Sequence, residues 1–135
     1  MRYSGDLAEL MLKVATGKLA EAEAPKFVPD TALTVVMAAN GYPGTAQTGG
    51  VISFGSVNSG KIFQAGTAEK DGNLVAVGGR VLNVTATGHN VTEAQAAAYS
   101  AVDSVNFPTG FCRRDIGWRE VEREAGRWYR SAGPE

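Results

Sequence analysis

The sequence predicts an α+β domain, built as an antiparallel sheet or partial barrel with flanking helices. Three observations carry this expectation. Short runs rich in β-branched residues fill positions 32–85, and each is cut off by a glycine-containing turn. Helical periodicities lie before and after those runs, and the regular strand–helix alternation of a parallel sheet is missing. At 135 residues with 44% hydrophobic residues, the chain suits one globular unit with a modest core.

The first element is a helix in which Leu7, Leu10, Met11 and Val14 fall on one face. Asp6 stands at its N-cap with Glu9 three residues on, as in a capping box, and Gly17 is a plausible stop. The apolar stripe needs a partner, and a helix opening so near residue 1 is expected to find it in whatever precedes it in a longer polypeptide. Residues 32–39 read as a buried strand closed by a turn over Asn40, Gly41, Tyr42, Pro43 and Gly44. Further strands are expected at 51–54, 61–65, 73–77 and 80–85, with Asp71-Gly72 as a hairpin tip.

After Gly88, Asn90 and Glu93 make a second capping-box pattern. The helix they open carries a narrow stripe of Ala94, Ala98, Ala101, Val102 and Val105, small enough to pack closely on a sheet. Residues 107–110 end it, and 111–116 read as a short strand or extended arm. Trp118, Val121, Ala125 and Trp128 suggest a last helix, which Gly126 weakens.

A formal net charge of -1 sets up no broad field of either sign, which argues against nucleic acid or an anionic membrane as a partner. Trp118, Trp128, Tyr129 and the arginines around them do not change this, because Glu120, Glu122, Glu124 and Glu135 offset the positive charge. With neither a signal peptide nor a membrane-length apolar run in sight, a cytoplasmic location is expected. Cys112, the single cysteine, has no internal partner for a disulfide. His89, the single histidine, follows a glycine in a turn and reads as a surface or capping residue. No metal site and no catalytic residue are assigned. The glycosylation sequons at Asn83 and Asn90 need a secretory route that nothing in the sequence suggests.

The chemistry concentrates in two segments. In the first, Gly78 and Gly79 let a ligand approach the backbone closely, and Arg80 adds a fork of donors suited to phosphate or carboxylate. The bland alternative is that the glycines only shape a hairpin and Arg80 pairs with a surface carboxylate. Asn83 and Thr85 alternate onto one strand face, toward a site or toward water. In the second segment, Arg113, Arg114 and Asp115 could bind and orient a phosphate, or could form an internal ion pair at a domain seam.

Five pieces, in order, resemble one family. They are residues 33–39 with Gly41-Tyr42-Pro43-Gly44; 65–67 with Asp71-Gly72; 79–85; 92–96; and 114–119. Together they look like the C-terminal part of phosphoribosylamine-glycine ligase, also called glycinamide ribonucleotide synthetase, over about residues 6–119. The resemblance implies an ATP-grasp ligase of purine biosynthesis. ATP, with magnesium or manganese, activates glycine as an acyl phosphate, which the amine of 5-phosphoribosylamine then captures. It further implies that residues 1–24 are the trailing helix and linker of an ATP-grasp domain, and residues 25–135 a β-rich C-terminal domain with a helical tail. Two departures matter. The family's acidic, asparagine-containing metal-binding segment, expected just before the Asp6 helix, is not in this sequence, and Cys112 stands where the family often carries an aromatic residue.

The chain is therefore expected to be inactive alone, to hold no cofactor itself, and to need the N-terminal and ATP-grasp domains as partners. Its implied role is to help form the acceptor-substrate site through Gly78, Gly79, Arg80, Asn83, Arg114 and Asp115. The alternative is a stand-alone binding module that kept the fold without the reaction.

Overall fold

Each strand of one sheet is joined along the chain to the matching strand of a second. The computed structural model describes residues 1–126. Its strands are β1 (Thr31–Ala39), β2 (Val51–Phe54), β3 (Lys61–Gln64), β4 (Thr67–Lys70), β5 (Asn73–Ala76), β6 (Arg80–Gly88), β7 (Val105–Asn106) and β8 (Gly110–Phe111). Its helices are α1 (Leu7–Ala15), α2 (Val91–Asp103) and α3 (Trp118–Glu124), with a 3-10 turn at Leu19–Glu21. One sheet runs β3-β6-β1-β8 and the other β4-β5-β2-β7, with antiparallel pairing throughout. The two orders correspond because β3 passes into β4, β5 into β6, β1 into β2 and β7 into β8. The architecture is α+β, with two bent antiparallel sheets and no closed barrel among the described residues.

The bend demands close backbone contact. Where β3 turns into β4 and β5 into β6, Gly66 crosses Gly78. A side-chain carbon on Gly66 would lie 2.7 Å from the Arg80 carbonyl oxygen and 3.0 Å from the Gly78 Cα. Only glycine permits that approach. The crossing is laced by Gly66 N–H donating to the Arg80 carbonyl at 3.0 Å and Val77 N–H donating to the Gly66 carbonyl at 2.8 Å.

The core lies on one face of the first sheet. The β1–β6 register pairs Leu33 with Ala86, Val35 with Val84 and Met37 with Leu82, and opposed residues share a face. Against them α2 lays Ala94, Ala98, Ala101 and Val102, all buried, in the stripe its sequence predicts. Small side chains let the helix approach closely. The Asn90 side chain caps α2 by accepting from the Glu93 amide at 2.8 Å, while Glu93 accepts from the His89 amide at 3.0 Å. Glu124 of α3 accepts from the Val91 amide at 2.9 Å, which places a carboxylate at the positive end of the helix dipole.

The N-terminal segment packs differently. Asp6 caps α1 by accepting from the Glu9 amide at 2.9 Å, but Glu9 does not close the box and pairs with Lys13 at 3.0 Å instead. The helix buries no residue, and Leu7, Met11 and Val14 are exposed. Tyr3 and Phe27 meet edge to face, and a bridge between them folds the segment back on itself.

Several sequence expectations need correction. β4 is not expected from its residues, because Thr67-Ala68-Glu69-Lys70 has no apolar alternation; it is a mostly exposed edge strand, where charge is tolerated. Val105 does not extend the α2 stripe, because the helix stops at Asp103 and Val105 pairs with Phe54 in the second sheet. The 111–116 segment is strand only at Phe111, the second residue of β8. α3 ends at Glu124, ahead of Ala125 and Gly126, and Trp128 lies outside the described residues.

Leu82 is fully buried between α2 and the sheet, so Leu82→Ala should cost about 2–5 kcal/mol in urea unfolding. Val36→Ala, on the opposite face, should cost well under half of that. Equal losses would contradict the placement of the core.

Candidate functional site

The face of the first sheet away from α2 is open. The register sets Thr34 opposite Thr85 and Val36 opposite Asn83, and β3 adds Lys61 beside Thr85 and Phe63 beside Asn83. Val36 is 38% and Phe63 46% exposed, with Asn83 half-buried between them. The Thr34 and Thr85 hydroxyls share a 2.8 Å hydrogen bond, which satisfies Thr85 where it is buried.

At one end of β6 the chain builds a corner. β6 begins at Arg80, opposite Ala38 and just past a register shift, and Ala38 pairs on its other side with Phe111. The Ala39 amide donates to the Gly79 carbonyl at 2.9 Å, and the Tyr42 amide donates to the Ala39 carbonyl at 3.1 Å. These bonds tie the 40–44 turn to the Gly78-Gly79 crossover. Gly41 enters that turn at φ +87, and a side-chain carbon there would collide with the Thr45 carbonyl oxygen. The Tyr42 ring lies against Gly79, where an added Cβ would sit 2.6 Å from its Cδ2.

Arg80 is exposed, and its guanidinium engages no group among the described residues. Gly78 and Gly79 likewise have backbone amides that donate to no described residue. The corner therefore combines a guanidinium, two peptide N–H groups and a half-open aromatic ring. The guanidinium and the amides can neutralise and hydrogen-bond an anion.

The second predicted segment is wired differently. Arg113 makes a bidentate pair with Asp115, Nε to Oδ1 at 3.0 Å and Nη2 to Oδ2 at 2.8 Å. Hydrogen bonding to Arg113 holds the Asp115 carboxyl below its ordinary range, and the same bond raises Arg113. Arg114 instead reaches Asp103 at 2.6 Å and lies over the Tyr99 ring, 5.6 Å from its centre; the Asp103 bond raises its pKa. Tyr99 clamps the segment to α2, donating to the Arg113 carbonyl at 2.7 Å and accepting from the Ile116 amide at 3.0 Å. Arg114 and Asp115 thus sit with the α2 side, whereas Gly78, Gly79, Arg80 and Asn83 belong to the corner and the open face. The structure does not gather the six into one cluster.

His89 lies on the surface with Nδ1 3.5 Å from Asp30. The described residues contain no group of three His, Cys, Asp or Glu placed to hold a metal ion, and no helix among them is long and apolar enough to cross a membrane. A cleft of about 300 Å³ between α1 and residues 22–26 is lined by Asp6, Glu9 and Lys13, but Lys13 is already paired with Glu9 and donates to the Glu21 carbonyl at 3.3 Å. From the sequence, Tyr42 belongs to a turn and to a family motif, with no binding role of its own. The signal it carried was a large aromatic between Gly41 and Pro43 in a loop that otherwise has only small or polar side chains beside the proline.

The family model for "Phosphoribosylglycinamide synthetase, C domain" matches residues 32–119. The phosphoribosylamine–glycine ligase of Agrobacterium fabrum is 52% identical over 126 residues, covering 92% of this chain and 30% of the relative. The enzyme of the same name from Escherichia coli O157:H7 is 47% identical, with 92% of this chain and 30% of the relative covered. The chain therefore spans about 30% of the length of these relatives. A crystal structure of phosphoribosylamine–glycine ligase from Thermotoga maritima superposes with a TM-score of 0.65 at 36% identity, covering 82% of this chain and 28% of the other.

Burial pushes the Cys112 thiol above its ordinary pKa, and nearby Arg114 only partly opposes this. A raised pKa leaves less thiolate at any given pH. Alkylation by iodoacetamide, followed by mass spectrometry, should climb with a midpoint above the value for a free cysteine under the same conditions. A midpoint below that value would show that Arg114 dominates.

Proposed function

The chain belongs to the phosphoribosylglycinamide synthetase C-domain family, and we propose that it serves as the C-terminal part of a phosphoribosylamine–glycine ligase, forming one wall of the acceptor-substrate site. In that reading the ligase joins glycine to 5-phosphoribosylamine at the expense of ATP, in the cytoplasm, as a step of purine biosynthesis. The observation that carries the site assignment is Arg80, an exposed guanidinium with no partner among the described residues beside two glycines whose amides are uncommitted. A phosphate dianion on the acceptor matches those donors. Holding that phosphate fixes where the acceptor amine can stand, and orientation of this kind is a large part of what an enzyme contributes to a two-substrate reaction.

Asn83 extends the contact surface along the open face. Arg114 and Asp115 are the weaker part of the proposed set, since an incoming phosphate would have to displace Asp103 or Arg113. The described residues have no carboxylate cluster to hold the magnesium or manganese that accompanies ATP. ATP and its metal belong, in this reading, to the nucleotide-binding part of the ligase. The chain is accordingly inactive alone. Residues 1–24 act as the connection to that part, and the exposed stripe of Leu7, Met11 and Val14 supports this by presenting an apolar helix face that nothing in residues 1–126 covers.

The test is to mix the chain with the separately produced remainder of the ligase and measure glycinamide ribonucleotide formation. Activity is expected only in the mixture. In that assembly Arg80→Ala should raise the KM for phosphoribosylamine by about 10- to 100-fold, the loss of a charged hydrogen bond, while the KM values for ATP and glycine stay put. Activity of the chain alone, or an unchanged acceptor KM, would overturn the proposal.

A further inference from the structure

Tyr42 has no evident task in folding. It is 39% exposed and absent from the buried core, and its hydroxyl meets no described residue. One side of its ring rests on Gly79, which leaves the ring partly open directly beside the residue that precedes Arg80. Two local features hold it there. The left-handed Gly41 shapes the turn that carries the ring, and the Tyr42–Ala39–Gly79 relay of backbone hydrogen bonds fixes that turn to the start of β6. A merely structural cover for Gly79 could be any apolar side chain. An aromatic ring offers something more, an electron-rich face that attracts C–H bonds polarised by neighbouring oxygens, as on one side of a pentose.

We propose that the open face of Tyr42 is the platform for the sugar of the acceptor, so that this corner reads a pentose phosphate as a whole. The ring takes the pentose while Arg80 and the Gly78 and Gly79 amides take the phosphate. This rests on the acceptor-site reading above and adds a specificity element to it. Phosphate alone uses half of the site, and a sugar phosphate uses all of it.

The experiment titrates the isotopically labelled chain with ribose 5-phosphate and, separately, with inorganic phosphate, following the Gly78, Gly79 and Arg80 amides by NMR. The wild-type chain should prefer ribose 5-phosphate by about two- to tenfold, the worth of one aromatic contact. Tyr42→Leu, which keeps apolar cover over Gly79, and Tyr42→Ala should both abolish the preference while leaving phosphate binding unchanged. Tyr42→Phe should retain it. Arg80→Ala should weaken both ligands. A preference that survives Tyr42→Leu, or one lacking in the wild type, overturns the platform while leaving the phosphate site intact. If neither ligand moves those amides, the acceptor-site reading falls and the platform with it.

Discussion

The crossing of Gly66 and Gly78 is the constraint on which the rest of the fold depends. With an added carbon on Gly66 only 2.7 Å from the Arg80 carbonyl oxygen and 3.0 Å from the Gly78 Cα, the strands could not cross here if Gly66 carried a side chain. The crossing lets β3 and β6 run into β4 and β5 as neighbours, so that the two sheets keep one strand order. It also fixes where β6 begins. Arg80 emerges at the bend itself, its carbonyl held by the Gly66 amide and its side chain turned out of the core.

From that bend the two faces of the first sheet diverge in character. The α2 side is filled by alanine and valine, and its charges are neutralised within the chain. Arg113 has Asp115, Arg114 has Asp103 and Tyr99, and the start of α2 has Glu124. The other side keeps Val36 and Phe63 partly exposed around Asn83, and at its end lies Arg80, without a partner among the described residues, with Tyr42 nearby. Exposed ion pairs contribute little to stability, so the contrast matters mainly for ligand chemistry. A guanidinium already in a bidentate pair is a poor phosphate receptor, whereas one without a partner is a ready one.

Much of the fold was legible in the sequence because the core residues keep simple periods. β1 alternates buried Leu33, Val35 and Met37 with exposed Thr34 and Val36, and the alanine stripe of α2 lands where its spacing places it. Asp71 and Gly72 form the β4–β5 tip, both with positive φ. What stayed hidden depends on tertiary pairing. β4 is held as a strand by its partner and not by its own residues, and Val105 is drawn from the helix by Phe54. The candidate site was half legible. Gly78-Gly79-Arg80 stood out by residue type, but the glycines answer first to a sheet crossing and a tyrosine ring. The separation of Arg114 and Asp115 from Arg80 was not legible, since it follows from partners on α2 that lie far from the corner in sequence.

The position of the acceptor phosphate decides whether Arg80 is a substrate contact. The most direct measurement is a crystal structure of the whole ligase with glycinamide ribonucleotide bound. The expected result is phosphate oxygens within about 3 Å of the Arg80 guanidinium. A phosphate held by other residues, with Arg80 facing solvent or paired to a carboxylate of another domain, would contradict it.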